Sequence, residues 1–160
     1  PAEVVEYLES LFEFMIEIVN RHHGIINKFL GDGFMAVFGA PLSDGRDCLN
    51  AVEAAQEILE RLKQEIDAGT ILPTTVGIGL HAGEAVTGSI GSALRREYTV
   101  IGDVVNLAAR IEKLNKQFDS QLLISEMVWQ AVKADHRTAM PMGHVQVRGR
   151  EQAIQVYQVA

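Results

Sequence analysis

Three features of this 160-residue chain predict an α+β fold. Segments with apolar residues at helical spacing alternate with short β-compatible runs. Those runs fall mostly in adjacent pairs around glycine-bearing turns, so hairpins and antiparallel pairing dominate a mostly antiparallel sheet, with helices packed on one face. No repeat, linker or low-complexity segment interrupts the pattern, and residues 1–160 read as one domain.

The elements follow in order. Residues 2–23 read as an amphipathic helix, with Val4, Leu8, Leu11, Met15, Ile18 and Val19 on one side and Gly24 where a C-terminal cap would stand. Apolar runs at 25–30 and 34–38 flank Gly31-Asp32-Gly33, where an Asp-Gly pair signals a hairpin, and Gly39-Ala40-Pro41 closes it. Residues 46–67 give a second helix, with Ala51, Ala54, Ala55, Ile58 and Leu62 on one side. Two strands at 74–81 and 84–90 turn at Ala82-Gly83. A helix over 104–115, a strand over 121–124 and a helix over 126–133 come next. Strands at 144–148 and 154–159, around Gly149, finish the chain.

Hydrophobic residues make up 48% and charged residues 22%, with four prolines and 14 glycines, which excludes wholesale disorder and collagen-like repetition. Fourteen basic against 21 acidic residues give a net charge of −7, so the chain as a whole repels a nucleic-acid backbone. A local cationic pocket for one small anion is compatible with that balance. Cys48 is the single cysteine, which excludes an internal disulfide and fits a reducing compartment. No apolar run approaches the roughly 20 residues a bilayer span needs. The acidic opening PAEVVEYLES lacks the basic region of a signal peptide. The expectation is a cytoplasmic domain without nucleic-acid or membrane contact, in a parent protein with room for an upstream regulatory domain or a separate tether.

Two constellations carry chemistry. In Lys28-Phe29-Leu30-Gly31-Asp32, a carboxylate in a glycine-flanked turn is sterically open to a hard cation such as Mg²⁺. The same residues also read as turn chemistry beside a solvated edge lysine. Further on, Tyr98-Thr99-Val100-Ile101-Gly102-Asp103 leads into a helix on which Asn106 and Arg110 are i,i+4 neighbours among apolar Val105, Leu107, Ala108 and Ile111. An amide and a guanidinium projecting together suit a sugar and a phosphate. Alternatively, Arg110 pairs with Asp103 or Glu112 and Asn106 caps the helix.

The segments INKFLGDGFMAVFGAP, GIGLHAGEAVTGSIG and YTVIGDVVNLAARIE, in this order and spacing, together resemble the class III nucleotidyl cyclase catalytic domain, and VRGREQAIQVYQV resembles its closing hairpin. The resemblance runs from residue 3 to 159 and implies a ferredoxin-like cyclase fold. It further implies that Asp32 is one of two aspartates holding two divalent ions, Mg²⁺ or Mn²⁺. Lys28 and Thr99 match the pair that reads the purine. Asn106 and Arg110 match the residues that orient the ribose and stabilise the transition state. Arg148 matches a basic residue, more often lysine, that contacts the terminal phosphates. Such domains form head-to-tail homodimers with sites at the interface, so Asp32 and Lys28 of one chain would serve different sites.

Base choice follows from donor and acceptor patterns. Lys28 can only donate, which suits adenine N1 and not the N1–H of guanine. Thr99 can accept from the adenine amine but can also donate, and so discriminates poorly. ATP is therefore the expected substrate and cyclic AMP with pyrophosphate the expected products. The alternatives are a guanylyl cyclase or an inactive nucleotide-binding and dimerising module; a diguanylate cyclase gives the Asn106/Arg110 pair no role. The sequence departs from the family in one respect: its FxDIxGF-like segment, with the first metal aspartate and the first strand, is not present. None of Asp44, Asp47, Asp103 or Asp119 occupies a matching position, so weak or no activity is expected of these residues alone. His22 and His23 suit a helix C-terminus. His81 reads as structural or as a bystander near the site, Trp129 as core packing, Arg95-Arg96 as a solvated loop or else a contact to phosphate or partner, and Cys48 as a packed or half-exposed thiol.

Overall fold

The computed structural model describes residues 2–83, 86–90, 97–135, 138–146 and 153–160, with the backbone alone for 2–8, 86–90 and 97–101. The chain divides into two compact units, Pro1–Val76 and Gly77–Ala160. As expected from the sequence, the described residues form an α+β structure with four helices and largely antiparallel strand pairing.

In the first unit, α1 (Ala2–Arg21) buries Leu11, Phe14, Met15, Ile18 and Val19, the i, i+3, i+4, i+7 stripe of an amphipathic helix. The helix does not end on Gly24. His23 takes the left-handed position, with φ 71°, and Gly24 already opens strand β1 (Gly24–Leu30). Glycine is needed at 24 for space: a Cβ there would stand 2.6 Å from the Phe38 ring and 2.8 Å from Val19 Cγ1. Strand β1 pairs antiparallel with β2 (Gly33–Phe38). Their turn is the two residues Gly31-Asp32. Gly31, at φ 58°, carries the left-handed conformation, so the hairpin is set by Gly31 and not by the Asp-Gly pair.

Helix α2 (Asp47–Asp67) buries Val52, Ala54, Ala55, Ile58 and Leu62, while Ala51 stays half-exposed. It is tied to the end of α1 by charge. Arg21 and His22 both reach Glu57, His22 at 2.9 Å, and Arg61 lies 5.5 Å over the Phe14 ring. The Arg21 guanidinium, and then the His22 ring, hold the Glu57 carboxyl at about 2, below its ordinary 4.5.

In the second unit a four-stranded sheet runs in the order β3-β6-β8-β7, from β3 (Ile78–Leu80), β6 (Leu122–Ser125), β7 (Met140–Val145) and β8 (Ile154–Gln158). A separate antiparallel pair joins β4 (Val86–Ile90) to β5 (Glu97–Ile101). The expected hairpin around Ala82-Gly83 is therefore absent among the described residues. Strand β3 is only three residues long and pairs parallel with β6, while β4 pairs with β5. Adjacent apolar runs cannot reveal this, because partner choice is decided by what covers each strand. Strand β7 also begins at Met140, earlier than expected, and reaches Val145 through a register shift between Pro141 and Gly143. The turn residue Gly149 lies outside the described residues.

Helix α3 (Asp103–Phe118) covers this sheet with Leu107 and Ile111, which join Leu123, Val145, Ile154 and Val156 in the core. Its seat is unusually close: a Cβ on Gly79 would lie 2.3 Å from the amide nitrogen of Glu112. Buried Asn115 completes the seat, donating at 3.0 Å to the carbonyl oxygens of Ile78 and Glu112 and accepting from Ser120 Oγ at 2.8 Å. Helix α4 (Glu126–Val132) packs on β8, with Trp129 stacked on Tyr157 at 5.2 Å.

Two outcomes follow. Gly79→Ala has no free space to fill and should lower stability by about 1–3 kcal/mol in a denaturant titration, the usual cost of overpacking. Glu57 titrates below its unfolded value, so its contribution is complete above pH 4.5 and is lost as pH falls toward 2. Thermal unfolding across that window should show Glu57→Gln losing less stability than the parent; identical slopes would remove this ion pair as a contributor.

Candidate functional site

On the first unit, the hairpin presents Lys28 and Asp32, both exposed. Asp32 sits at the tip, and open space surrounds its neighbour Gly31. Which way Lys28 faces can be read from the register. Gly24 faces α1, as its contact with Val19 requires, and Ile26 follows it by alternation. Phe29 also faces α1, its ring 6.0 Å from that of Phe12 and 6.3 Å from that of Phe34. Lys28 therefore points to the opposite side, across from Met35 and beside Ile25, Val37 and Leu30. It is the only charged residue in either strand. That side of the hairpin is an apolar surface bearing one ammonium group.

On the second unit, β5 leads through Gly102 directly into α3. Gly102 is the N-cap residue, so Asn106 stands inside the helix and does not cap it. Asn106 and Arg110 lie exposed, one turn apart, on the side away from buried Leu107 and Ile111. Among the described residues, Arg110 forms no ion pair with Asp103 or Glu112. The pairing and capping alternatives thus fail here, and a side-by-side amide and guanidinium face solvent. Thr99 lies in β5 opposite Gly88, which fixes its backbone; its side chain is outside the described atoms. Arg148 and Arg95-Arg96 lie outside the described residues.

The structure adds a contact that sequence spacing does not show. His81, at the C-terminal end of β3, meets buried Ser125 Oγ through Nδ1 at 2.8 Å. Ser125 is the N-cap residue of α4, yet its hydroxyl makes no capping bond. Serine at this position ordinarily bonds a helix N–H, a contribution of about 1 kcal/mol. Here it serves His81 instead; a Cβ on Gly83 would stand 3.9 Å from that ring's Nε2 and 3.6 Å from Val104 in the first turn of α3. A strand histidine and a pre-helix serine 44 residues apart give no joint signal in sequence.

His22 is engaged by Glu57, and among the described residues no group of three His, Cys, Asp or Glu side chains could hold a metal ion. Cys48 is half-buried, and burial, with Asp47 nearby, raises its thiol pKa. No helix among the described residues is long and apolar enough to cross a membrane.

Comparison with known proteins bears on the whole chain. The family model for the adenylate and guanylate cyclase catalytic domain matches residues 1–160. An uncharacterised protein of Mycobacterium tuberculosis is 38% identical over 159 residues, covering 98% of this chain and 28% of its own length. Adenylate cyclase 1 of Rhizobium meliloti is 36% identical over 162 residues, 99% of this chain and 24% of that protein. The chain thus spans about a quarter of the length of these curated relatives. Among solved structures, the adenylyl cyclase CyaB from P. aeruginosa superposes with a TM-score of 0.84 at 28% identity, over 100% of this chain and 83% of that one. The guanylyl cyclase Cya2 gives 0.80 at 34% identity, over 99% and 80%.

The exposure pattern separates surface from buried polar residues on α3. Asn106→Ala and Arg110→Ala should change unfolding free energy by no more than about 0.5 kcal/mol. Asn115→Ala should cost about 1–3 kcal/mol, because it strands buried partners. Denaturant unfolding of the three variants checks this; comparable losses at Asn106 and Asn115 would assign Asn106 a structural role.

Proposed function

The chain belongs to the adenylate and guanylate cyclase catalytic-domain family, and we propose that it is an adenylyl cyclase domain converting ATP to 3′,5′-cyclic AMP and pyrophosphate. The observation that carries the choice of ATP is Lys28, the single charge on an apolar hairpin surface. An ammonium can donate to adenine N1 and has nothing to accept the N1–H of guanine. The apolar side chains around it suit the flat face of a purine. Thr99 is the partner for the exocyclic amine. Since solved relatives of both base preferences resemble this chain, the family alone leaves the base open.

The reaction is an in-line attack of the ribose 3′-oxygen on the α-phosphorus, with pyrophosphate leaving. Asn106 orients the ribose, which is a proximity effect. Arg110, one turn along the same helix, stabilises charge growing on the α-phosphate in this reading. Arg148 holds the terminal phosphates. Asp32 fits as a hard oxygen ligand, since Mg²⁺ commonly combines one or two carboxylates with substrate phosphates. Two divalent ions, Mg²⁺ or Mn²⁺, would when bound neutralise the triphosphate and activate the attacking oxygen. In the head-to-tail homodimer that this reading entails, Asp32 and Lys28 of one chain serve different sites. The cellular setting is cytoplasmic signal transduction.

The test is the full-length protein incubated with ATP or GTP and Mn²⁺, with products resolved by chromatography. Cyclic AMP is expected from ATP, reduced by roughly 10²–10³ in kcat in Arg110→Ala and shifted away from ATP in Lys28→Glu. Cyclic GMP as the main product would make it a guanylyl cyclase. ATP binding without any cyclic product would make it an inactive nucleotide-binding module.

A further inference from the structure

Helix α3 runs antiparallel along β3, as three close approaches show. A Cβ on Gly77 would lie 3.2 Å from Asn115 Nδ2, one on Gly79 2.9 Å from the Ala108 carbonyl oxygen, and one on Gly83 3.6 Å from Val104 Cγ2. Residue 81 therefore falls beneath the turn 104–108, which carries Asn106. Side-chain parity agrees. Leu123 belongs to the core under α3, and Ser125, two residues on, shares its face of the sheet. His81 follows Leu80, which is in register with Ile124, and its Nδ1 meets Ser125 Oγ at 2.8 Å. Ser125 is 0% exposed and makes no capping bond to its own helix. The N-cap of α3 is Gly102, which has no side chain to fix the first turn. The imidazole is thus anchored on the sheet under a helix start that its own cap residue does not secure.

We propose that His81 is a positioning residue for the cyclase reaction: braced on Ser125, its ring fixes the first turns of α3 and with them the place of Asn106. The inference rests on the cyclase reading, in which Asn106 orients the ribose. Such a proximity effect is sensitive to small displacements, and a shift of about 1 Å can cost about 10²-fold in rate. A histidine suits the task. Its ring is flat and rigid, and a hydrogen bond at one nitrogen fixes the ring's rotation as well as its place. The partner is suited too, because a fully buried hydroxyl is not drawn off by solvent. Neither side chain touches substrate in this reading; the pair acts through the helix that carries Asn106.

The experiment compares the full-length protein with its Ser125→Ala and His81→Leu variants, folding being checked by circular dichroism. The first removes one hydroxyl; the second keeps an apolar bulk but loses the anchor, and if it does not fold, Ser125→Ala alone decides. With ATP and Mn²⁺, each should lower kcat about tenfold and leave KM within about twofold, the mark of an interaction realised in the transition state. In an Asn106→Ala background, Ser125→Ala should cost less than about twofold more, because the group it positions is gone. An unchanged kcat, a loss carried by KM, or the same tenfold loss without Asn106 would overturn the proposal. Hydrogen exchange supplies a readout independent of turnover. In Ser125→Ala the amides of residues 107–110, which close the first turns of α3, should exchange about fivefold faster or more, while those of 114–118 keep their rates. Uniform acceleration along the helix, or none, would equally overturn it. If the parent makes no cyclic nucleotide, the cyclase reading fails separately, and the exchange pattern decides whether His81 and Ser125 position this turn.

Discussion

At Gly79 the backbone of β3 lies so near α3 that a Cβ would stand 2.3 Å from the amide nitrogen of Glu112 and 2.9 Å from the carbonyl oxygen of Ala108. Only a strand residue without a side chain permits that approach, and the packing of the C-terminal unit depends on it. With the helix backbone seated on β3, Leu107 and Ile111 reach the sheet and meet Leu123 and Val156. The flank of the same helix about 100° round from that seat stays exposed, and Asn106 and Arg110 lie there. Asn115 secures the seat, because its amide donates to the Ile78 carbonyl and so ties α3 to the start of a three-residue strand. For the proposed cyclase reaction, such a helix is a suitable carrier for two groups that would hold a ribose and a phosphate in place.

The N-terminal unit solves a related problem with a hairpin. Aromatic rings of Phe12, Phe29 and Phe34 clamp its distal half to α1, with Phe34 edge-on to Phe12 at 5.7 Å. A β-bulge at Asn27 allows this clamp and the regular pairing near Gly24 to coexist. Its consequence is chemical as well as mechanical, since it leaves Lys28 on the side away from the clamp. At the other end of α1, Arg21 and His22 converge on Glu57 and tie the helix to α2. The tie is partly exposed, so salt and acid weaken it more than they weaken the apolar packing of Ile18 and Leu62.

Much of this was legible in advance where one element interprets itself. The stripe Leu11, Met15, Ile18, Val19 marks α1, and the i,i+4 spacing of Asn106 and Arg110 puts them together on one face of α3. The burial of Phe14 and Val52 is not legible in the spacing alone, because a stripe's width depends on what lies against it. The hairpin at Gly31-Asp32 was found through a neighbouring signal, the Asp-Gly pair, although Gly31 carries the positive φ. Pairing between distant strands was not legible. The parallel union of β3 with β6 joins residues more than 40 positions apart, and no local propensity encodes it. The bulge was equally hidden, since it exists only relative to a partner strand.

By itself the sequence determined the element types, the acidic balance, the candidate groups Lys28, Asp32, Thr99, Asn106, Arg110 and Arg148, and the family they resemble. These rest on composition, periodicity and motif order, which are properties of neighbouring residues along the chain. Only the tertiary structure decided that Arg110 makes no ion pair with Asp103 or Glu112, that His81 meets the Ser125 hydroxyl that makes no capping bond, and that the bulge of β1 falls at Asn27. Each of those depends on which surfaces meet after folding, and contact across the fold is set by packing and register, not by the local order of residues.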